Sequence, residues 1–266
     1  RDHGGALTPL LPLLALDIDA RSAWVRHAYR ATQHRLLCSR YLAPVRAWAH
    51  EHGIRSIGHL TRTEYLYYAA AVWPEELRAC RELDVPCSDP LGACVAWPGA
   101  CAYHTGLKVV SSAAHIFGKE AAGSDALGVT GDETALRDMR FHLDYQMAMG
   151  ITYFNLHGLS YSFAGPRKDE VPPPLFYQHP EWPWMGELLR HVRATCAALR
   201  VGEHLCGIGV LYPSAGIYCD LNALNWETQH PMELAMHRIA ELLVSHQRDF
   251  DFIDETTLAV PPSIDI

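Results

Sequence analysis

Hydrophobic residues recur at helical spacing in two long stretches of the chain. From Ala23 to His50 they form one apolar face, and Gly53 supplies a stop, so the pattern predicts a long helix. A second helix is predicted from Asp132, which can cap its start, to Met149, with Gly150 as its exit.

Short apolar runs that each finish in polar residues lie between and after these helices, as in the buried strands of a parallel sheet. The five predicted strands are Ile54–His59, Val85–Asp89, Leu107–Ser112, Ala121–Asp125 and Ile151–His157. Strands that alternate with helices indicate an α/β architecture. Since five strands cannot close a (β/α)8 barrel, we predict a partial barrel whose first strands precede Arg1.

The composition changes at about Gly202, where a new unit is predicted to begin. Cys206–Pro213 has the pattern of a buried strand, Pro231 fits the first turn of a helix, and Phe250–Asp254 fits the next parallel strand. This βαβ unit is predicted to open a doubly wound, parallel-sheet domain. The expected division is therefore 1–202 for the partial barrel and 203–266 for the second domain.

Composition and charge exclude several classes of protein. The chain has 266 residues, 49% of them hydrophobic and 20% charged, which is typical of a packed protein. Its formal charge is -8 and it has no basic run, so we expect no nucleic-acid partner. The longest apolar stretch, Leu10–Leu16, contains Pro12 and is too short to span a bilayer, so we expect no membrane partner. The sequence leaves a homo-oligomer as an open alternative.

The eight cysteines and sixteen histidines do not form a recognisable metal motif, since neither C-x2-C nor H-E-x-x-H occurs. A chain of this length does not need disulfides, so reduced thiols are favoured, as in a reducing cytoplasm, although the sequence does not determine the compartment. No G-x-S-x-G elbow and no phosphate-cradling glycine loop is present. Hydroxyl nucleophiles and nucleotide binding are therefore not predicted.

Three carboxylates follow predicted strand ends: Glu64, Asp89 and Asp125. A barrel gathers such residues into one pocket. Hydrolysis of a glycoside needs one carboxylic acid to protonate the leaving oxygen and one carboxylate to attack the sugar or activate water. The alternative interpretation treats each residue as an ordinary surface or capping acid.

A long, aromatic and mostly irregular segment follows the last predicted barrel strand. Its three parts are Asn155–Ser162, Gly165–Pro174 and Pro180–Trp184. Long loops in a packed domain are usually functional, and aromatic faces beside charged groups suit sugar rings. Alternatively, Trp182 and Trp184 only cover the end of the barrel.

An ordered series of short motifs resembles the α-L-rhamnosidase-like TIM-barrel glycoside hydrolases over about residues 23–258. The motifs are Gly-His-Leu at 58–60 followed by Glu64, Ser-Ser-Ala-Ala-His at 111–115, Gly-Lys at 118–119, Asn-Leu-His-Gly at 155–158 with Tyr-Ser at 161–162, Gly-Pro-Arg-Lys-Asp at 165–169, and Val-Leu-Tyr-Pro at 210–213. Each motif is weak alone, but their order is moderately specific.

The resemblance implies a catalytic barrel up to about residue 200, followed by the start of a flavodoxin-like or amidotransferase-like accessory domain. It makes Ile54–His59 the fourth barrel strand and Ala121–Asp125 the seventh. It implies cleavage of α-L-rhamnosides or related glycosides, with Glu64 as general acid and Asp125 as base or nucleophile. The residues expected to bind the sugar or shape the leaving-group side are His59, Asp89, Asn155, His157, Tyr161, Arg167 and Trp184.

One departure from the family keeps a second function open. The family has Ser-Glu-Ser or a close variant where this chain has Gly-Ser-Asp-Ala at 123–126. Since Asp is one methylene shorter than Glu, the barrel could instead be a catalytically weakened carbohydrate-binding domain. A third alternative is metal-dependent hydrolysis by a His and Asp cluster. No cofactor is predicted, apart from calcium as a candidate that orients sugar hydroxyls.

Overall fold

The computed structural model describes residues 6–60, 64–73, 75–92, 101–162, 164–166, 173–224 and 230–259. Its helices are α1 Leu11–Ala15, α2 Arg21–Leu37, α3 Ala43–Glu51, α4 Leu66–Val72, α5 Glu76–Ala79, α6 Cys101–Ile116, α7 Leu136–Ala148, α8 Met185–Leu199, α9 Ser214–Asp220, α10 Pro231–Ser245 and α11 Glu255–Ala259. A π-helical turn, Cys38–Leu42, joins α2 to α3 without a break. The predicted helix from Ala23 to His50 is thus confirmed, and it ends two residues before Gly53.

Four parallel strands form one sheet in sequence order. They are β1 Ile57–His59, β2 Val85–Ser88, β3 Ala122–Ala126 and β4 Ile151–Leu156. Helix α6 packs against β2 and β3, while α7 and α8 pack against β4. This parallel sheet with helical crossovers confirms the predicted α/β class and is consistent with part of a barrel.

The third of the five predicted barrel strands, Leu107–Ser112, is wrong, because these residues lie inside α6. Leu107, Val109 and Val110 are completely buried there. A helix that is buried on all sides cannot be distinguished from a buried strand by periodicity, and consecutive valines favour the strand interpretation.

Because Leu107–Ser112 is helical, the predicted strand numbers are also wrong. Only β2 lies between β1 and β3 in the sheet. Ile54–His59 and Ala121–Asp125 therefore cannot be the fourth and seventh strands of one barrel, because those two are separated by two strands.

The second sheet has two parallel strands, β5 Gly209–Leu211 and β6 Asp251–Ile253, connected through α9 and α10. The predicted βαβ unit is confirmed, including the start of its helix at Pro231. Helix α6 also packs against α10 and β6, so it contacts both sheets. One buried core contains Leu107 and Ala122 together with Tyr212 and Phe252. The boundary near residue 202 stays a prediction.

Two further features concern the whole described chain. Among the described residues, no helix is both long enough and apolar enough to cross a membrane. Six cysteines are free thiols in the described part of the chain: Cys38, Cys80, Cys87, Cys196, Cys206 and Cys219.

Candidate functional site

The polar residues at the ends of the four parallel strands share one face of the sheet. Strand pairing places Asp125 opposite Asn155, and His59 opposite Cys87. Because side chains alternate along a strand, His59, Asp89, Asp125 and Asn155 all point to the face opposite Ala122 and Phe154, which pack on the helices. The strand ends therefore form a polar cluster at the carboxyl edge of the sheet.

His59 lies between the two aspartates of this cluster. Its Nδ1 is 3.9 Å from an Asp89 carboxylate oxygen, and its Nε2 is 3.9 Å from Asp125 Oδ2. Asn155 donates a hydrogen bond of 3.0 Å from Nδ2 to the other oxygen of Asp125. The Asn155 amide thus orients Asp125, and a small molecule can reach both carboxylates because neither is fully buried.

The surroundings of Asp89 favour its protonated form. Partial burial raises the pKa of the Asp89 carboxyl above its ordinary value, while nearby His59 lowers it, Asp125 raises it and His157 lowers it. The net direction is upward. A carboxyl whose surroundings raise its pKa in this way is a candidate general acid.

The floor beneath the cluster is tightly packed. A Cβ atom added to Gly123 would lie 2.4 Å from Cys87 Sγ and 3.3 Å from Val85 Cγ1. Cys87, Val85 and Ala121 are buried together there. Glycine at 123 therefore lets β3 lie close to β2, directly before Asp125.

The chain after β4 begins at His157, whose charge lowers the pKa of Asp89, and it lines a cleft of its own. Residues 157–162 and Ala164 line a cleft of about 530 Å³. His157 stays attached to β3, since its N–H donates to the Ala126 carbonyl oxygen. Tyr161 is 87% exposed, so its ring is free to contact a ligand at the mouth of the cleft.

The structure places Glu64 in different surroundings. It is 6% exposed, and its backbone carbonyl oxygen accepts a hydrogen bond from Nε2 of His237 on α10. Its charge also helps to raise the pKa of the fully buried Glu76. Glu64 is therefore close to Glu76 of α5 and to His237 of α10, whereas His59 lies beside Asp89 and Asp125. The acid role of Glu64 stays a prediction.

Trp184 lies next to α8, in a segment that is separate in sequence from the strand ends of the cluster. Trp184 ends the short 3₁₀ turn Trp182–Trp184 before α8 and is 58% exposed. Trp182 packs instead on the core of α7 and α8 and edge-on against Phe176, so it covers the helical layer. Arg167 lies outside the described residues.

Two features of this site are not predicted from the sequence. The family resemblance implies only hydroxyl binding for Asp89, because the burial that raises the pKa of this acid depends on neighbouring strands. The need for glycine at position 123 is the second, although a glycine inside a predicted strand is a signal of close backbone approach.

No known protein family matches this sequence, and no curated protein matches it significantly. Among solved structures, the chain is similar to the rhamnosidase from Novosphingobium sp. PP1Y, with a TM-score of 0.66 and 14% sequence identity. The match covers 97% of this chain and 24% of that chain, so this chain spans about a quarter of its structural neighbour. At this identity the likeness shows a rhamnosidase-like fold.

Proposed function

We propose that the cluster at the carboxyl edge of the sheet is a sugar-binding active site and that the protein hydrolyses α-L-rhamnosides or related glycosides. The observation that carries this proposal is the position of His59 between Asp89 and Asp125. The likeness to a rhamnosidase fold supports it, because barrel enzymes place their catalytic residues at this edge.

The geometry suits the two steps of acetal cleavage. Since Asp89 and Asp125 each lie 3.9 Å from His59, one sugar bound over the imidazole can reach both carboxyls. Asp125, held by Asn155, is the candidate base or nucleophile. Asp89 is a candidate general acid, because partial burial raises the pKa of its carboxyl and so shifts it in the direction that a proton donor needs.

Glu64 is the second candidate for the general acid, on the strength of the family resemblance. It follows β1 in the sequence, and it is buried. Sugar hydroxyls would be bound by His59, Asn155, His157 and Tyr161, with Arg167 and Trp184 on the leaving-group side.

The first prediction distinguishes these acids. We expect Asp125→Asn to reduce kcat on aryl glycosides by about 10²–10⁴-fold. Replacing the general acid by its amide should reduce kcat by a similar factor on glycosides with poor leaving groups. If Asp89 is the acid, activity falls as the pH rises above its pKa, and this alkaline limb is lost in Asp89→Asn but kept in Glu64→Gln. If Glu64 is the acid, the alkaline limb is lost in Glu64→Gln and kept in Asp89→Asn.

The matched control is Asp132→Asn, which changes an exposed aspartate in the loop before α7 and should leave the rates unchanged. Circular dichroism checks that each variant folds. Normal rates in folded Asp125→Asn would remove the proposed site.

A carbohydrate-binding protein without turnover is the second candidate. It is favoured by the shorter side chain of Asp125, which Asn155 holds back by a hydrogen bond. Calorimetry would then detect sugar binding with no hydrolysis, and Asp125→Glu should restore turnover if the missing methylene is the cause. Sugar binding that persists in a His59→Ala variant would place the binding site elsewhere.

Calcium is proposed only as a ligand that orients sugar hydroxyls beside Asp89 and Asp125. Carboxylate and amide oxygens are suitable calcium ligands, and Asn155 adds an amide to the two carboxylates. Loss of sugar affinity on chelation, reversed by calcium but not by zinc, is the expected result. Unchanged affinity after chelation would exclude this role.

A further inference from the structure

A second cluster of ionisable side chains lies away from the strand ends that form the candidate site. It joins three distant parts of the chain: His115 in the last turn of α6, His204 in the loop before β5, and Asp251 at the start of β6. One ligand atom from each of these residues lies within 4.8 Å of the other two. His204 also forms a similar group with Cys206 and Asp249.

The distances resemble those between the ligands of one metal ion. Bonds of 2.0–2.1 Å at tetrahedral angles place neighbouring ligand atoms about 3.3 Å apart. Here His115 Nδ1 is 2.9 Å from Asp251 Oδ1, and His204 Nε2 is 3.7 Å from Asp251 Oδ2 and 3.2 Å from Asp249 Oδ2. Only small side-chain movements would bring these atoms around an ion.

We propose that His115, His204 and Asp251 bind a divalent transition metal of the zinc class, with Asp249 beside the same ion. Two imidazoles and a carboxylate form a donor set that suits zinc better than calcium or magnesium, which prefer oxygen ligands. This site is independent of the proposed glycosidase activity.

The two histidine rings lie side by side at the cluster. They are stacked, with centroids 3.7 Å apart and planes at 14°. This stacking brings the imidazoles of α6 and of the loop before β5 to the same place beside Asp251.

Lys108 lies on the Oδ1 side of both carboxylates. Its ammonium is 2.9 Å from Asp249 Oδ1 and 3.7 Å from Asp251 Oδ1, so both Oδ2 atoms stay directed towards His204. The lysine side chain is almost fully buried. It thus acts as an outer partner of the ligands, a common feature of metal sites.

A neighbouring cavity gives the ion access to the cluster. The cavity has a volume of about 740 Å³, and its lining includes Lys108, His115, His204 and Asp249. Water from this cavity can complete the coordination of a metal with three protein ligands. A bound ion would fasten the loop before β5 and the start of β6 to α6, and would so stabilise the contact between the two sheets.

The test titrates the purified protein with Co²⁺, whose visible absorption reports coordination geometry, and then displaces it with Zn²⁺. We expect one ion per chain, intense four- or five-coordinate bands, displacement by Zn²⁺ but not by excess Ca²⁺, and a higher Tm with Zn²⁺. His204→Gln and Asp251→Asn should weaken binding by at least about tenfold.

The control is His52→Gln, because His52 is an exposed histidine stacked on Trp48 outside the cluster. The affinity of the His52→Gln variant for Co²⁺ should equal that of the unmodified protein. Absence of Co²⁺ bands in the unmodified protein, or equal affinities in folded His204→Gln and His52→Gln, would overturn the proposed site. The measurement needs no sugar, so its outcome does not depend on the proposed glycosidase.

Discussion

At the scale of single residues, the candidate site depends on which side chains lie on the face of the sheet that is opposite to the helices. His59, Asp89 and Asp125 come from three strands and contact one another only because β1, β2 and β3 are adjacent and parallel. Their identities were visible in the sequence. The position of His59 between the two acids was not, because it depends on strand pairing.

Gly123 is the residue whose replacement tests the floor of this cluster. We predict that Gly123→Ala destabilises the protein by about 1–3 kcal/mol, because the added methyl group would meet the Cys87 thiol at 2.4 Å. It should also lower sugar affinity, since Asp125 is two residues away. Denaturant unfolding and calorimetry measure the two effects.

The matched control is Gly58→Ala on β1, where the added Cβ would meet only Leu83 at an ordinary 3.9 Å. Cys87→Ala should rescue Gly123→Ala in a double-mutant cycle, because it removes the crowded atom. Equal destabilisation by Gly123→Ala with and without Cys87 would show that this contact is not the cause.

At the scale of elements, helix α7 shows how a distant residue sets a boundary. The sequence predicted a start at Asp132, but the helix begins at Leu136. The Leu136 N–H donates to Glu181 Oε2 over 2.6 Å, and the Ala135 N–H donates to Asp138 at 3.3 Å. A carboxylate from the segment before α8 therefore caps α7, and no local motif could predict that.

The end of α7 agrees with the sequence. The predicted exit at Gly150, which has a φ of 95°, is consistent with the observed end.

We predict that Glu181→Ala lowers the free energy of unfolding by about 1 kcal/mol, because it leaves a helix-terminal N–H without its acceptor. Glu181→Gln should lose less, since an amide oxygen can still accept the hydrogen bond. Urea unfolding measures both variants against Glu203→Ala, which removes an exposed loop carboxylate. A loss for Glu203→Ala equal to that for Glu181→Ala would refute the capping role.

At the scale of the whole molecule, α6 joins the two sheets. Phe252 on β6 is completely buried, contacts Phe250 and Tyr212 edge-on, and donates its N–H to Ser112 Oγ of α6 at 2.8 Å. The same helix packs against β2 and β3. The βαβ unit and the four-stranded sheet therefore share one core.

This shared core predicts cooperative unfolding. Phe252→Ala should cost about 3–5 kcal/mol and lower a single calorimetric transition, because the cavity opens in the core of both sheets. Hydrogen exchange should then accelerate at the amides of β2 and β3 as well as at β6. Leu258→Ala, at a half-exposed position of α11, is the control with little effect. Two separate transitions, with only one shifted, would contradict a common core.

Local patterns were sufficient for the α/β class, four of the five predicted barrel strands, the βαβ unit and the acids that follow the strands. These features depend on the polarity and conformational preferences of neighbours in the sequence. Tertiary packing decided that Leu107–Ser112 is helical, that Glu181 caps α7, and that His59 joins Asp89 to Asp125. It also brought His115, His204 and Asp251 together. Such contacts link residues far apart in the chain, and their burial and distances exist only once the sheets and α6 have packed.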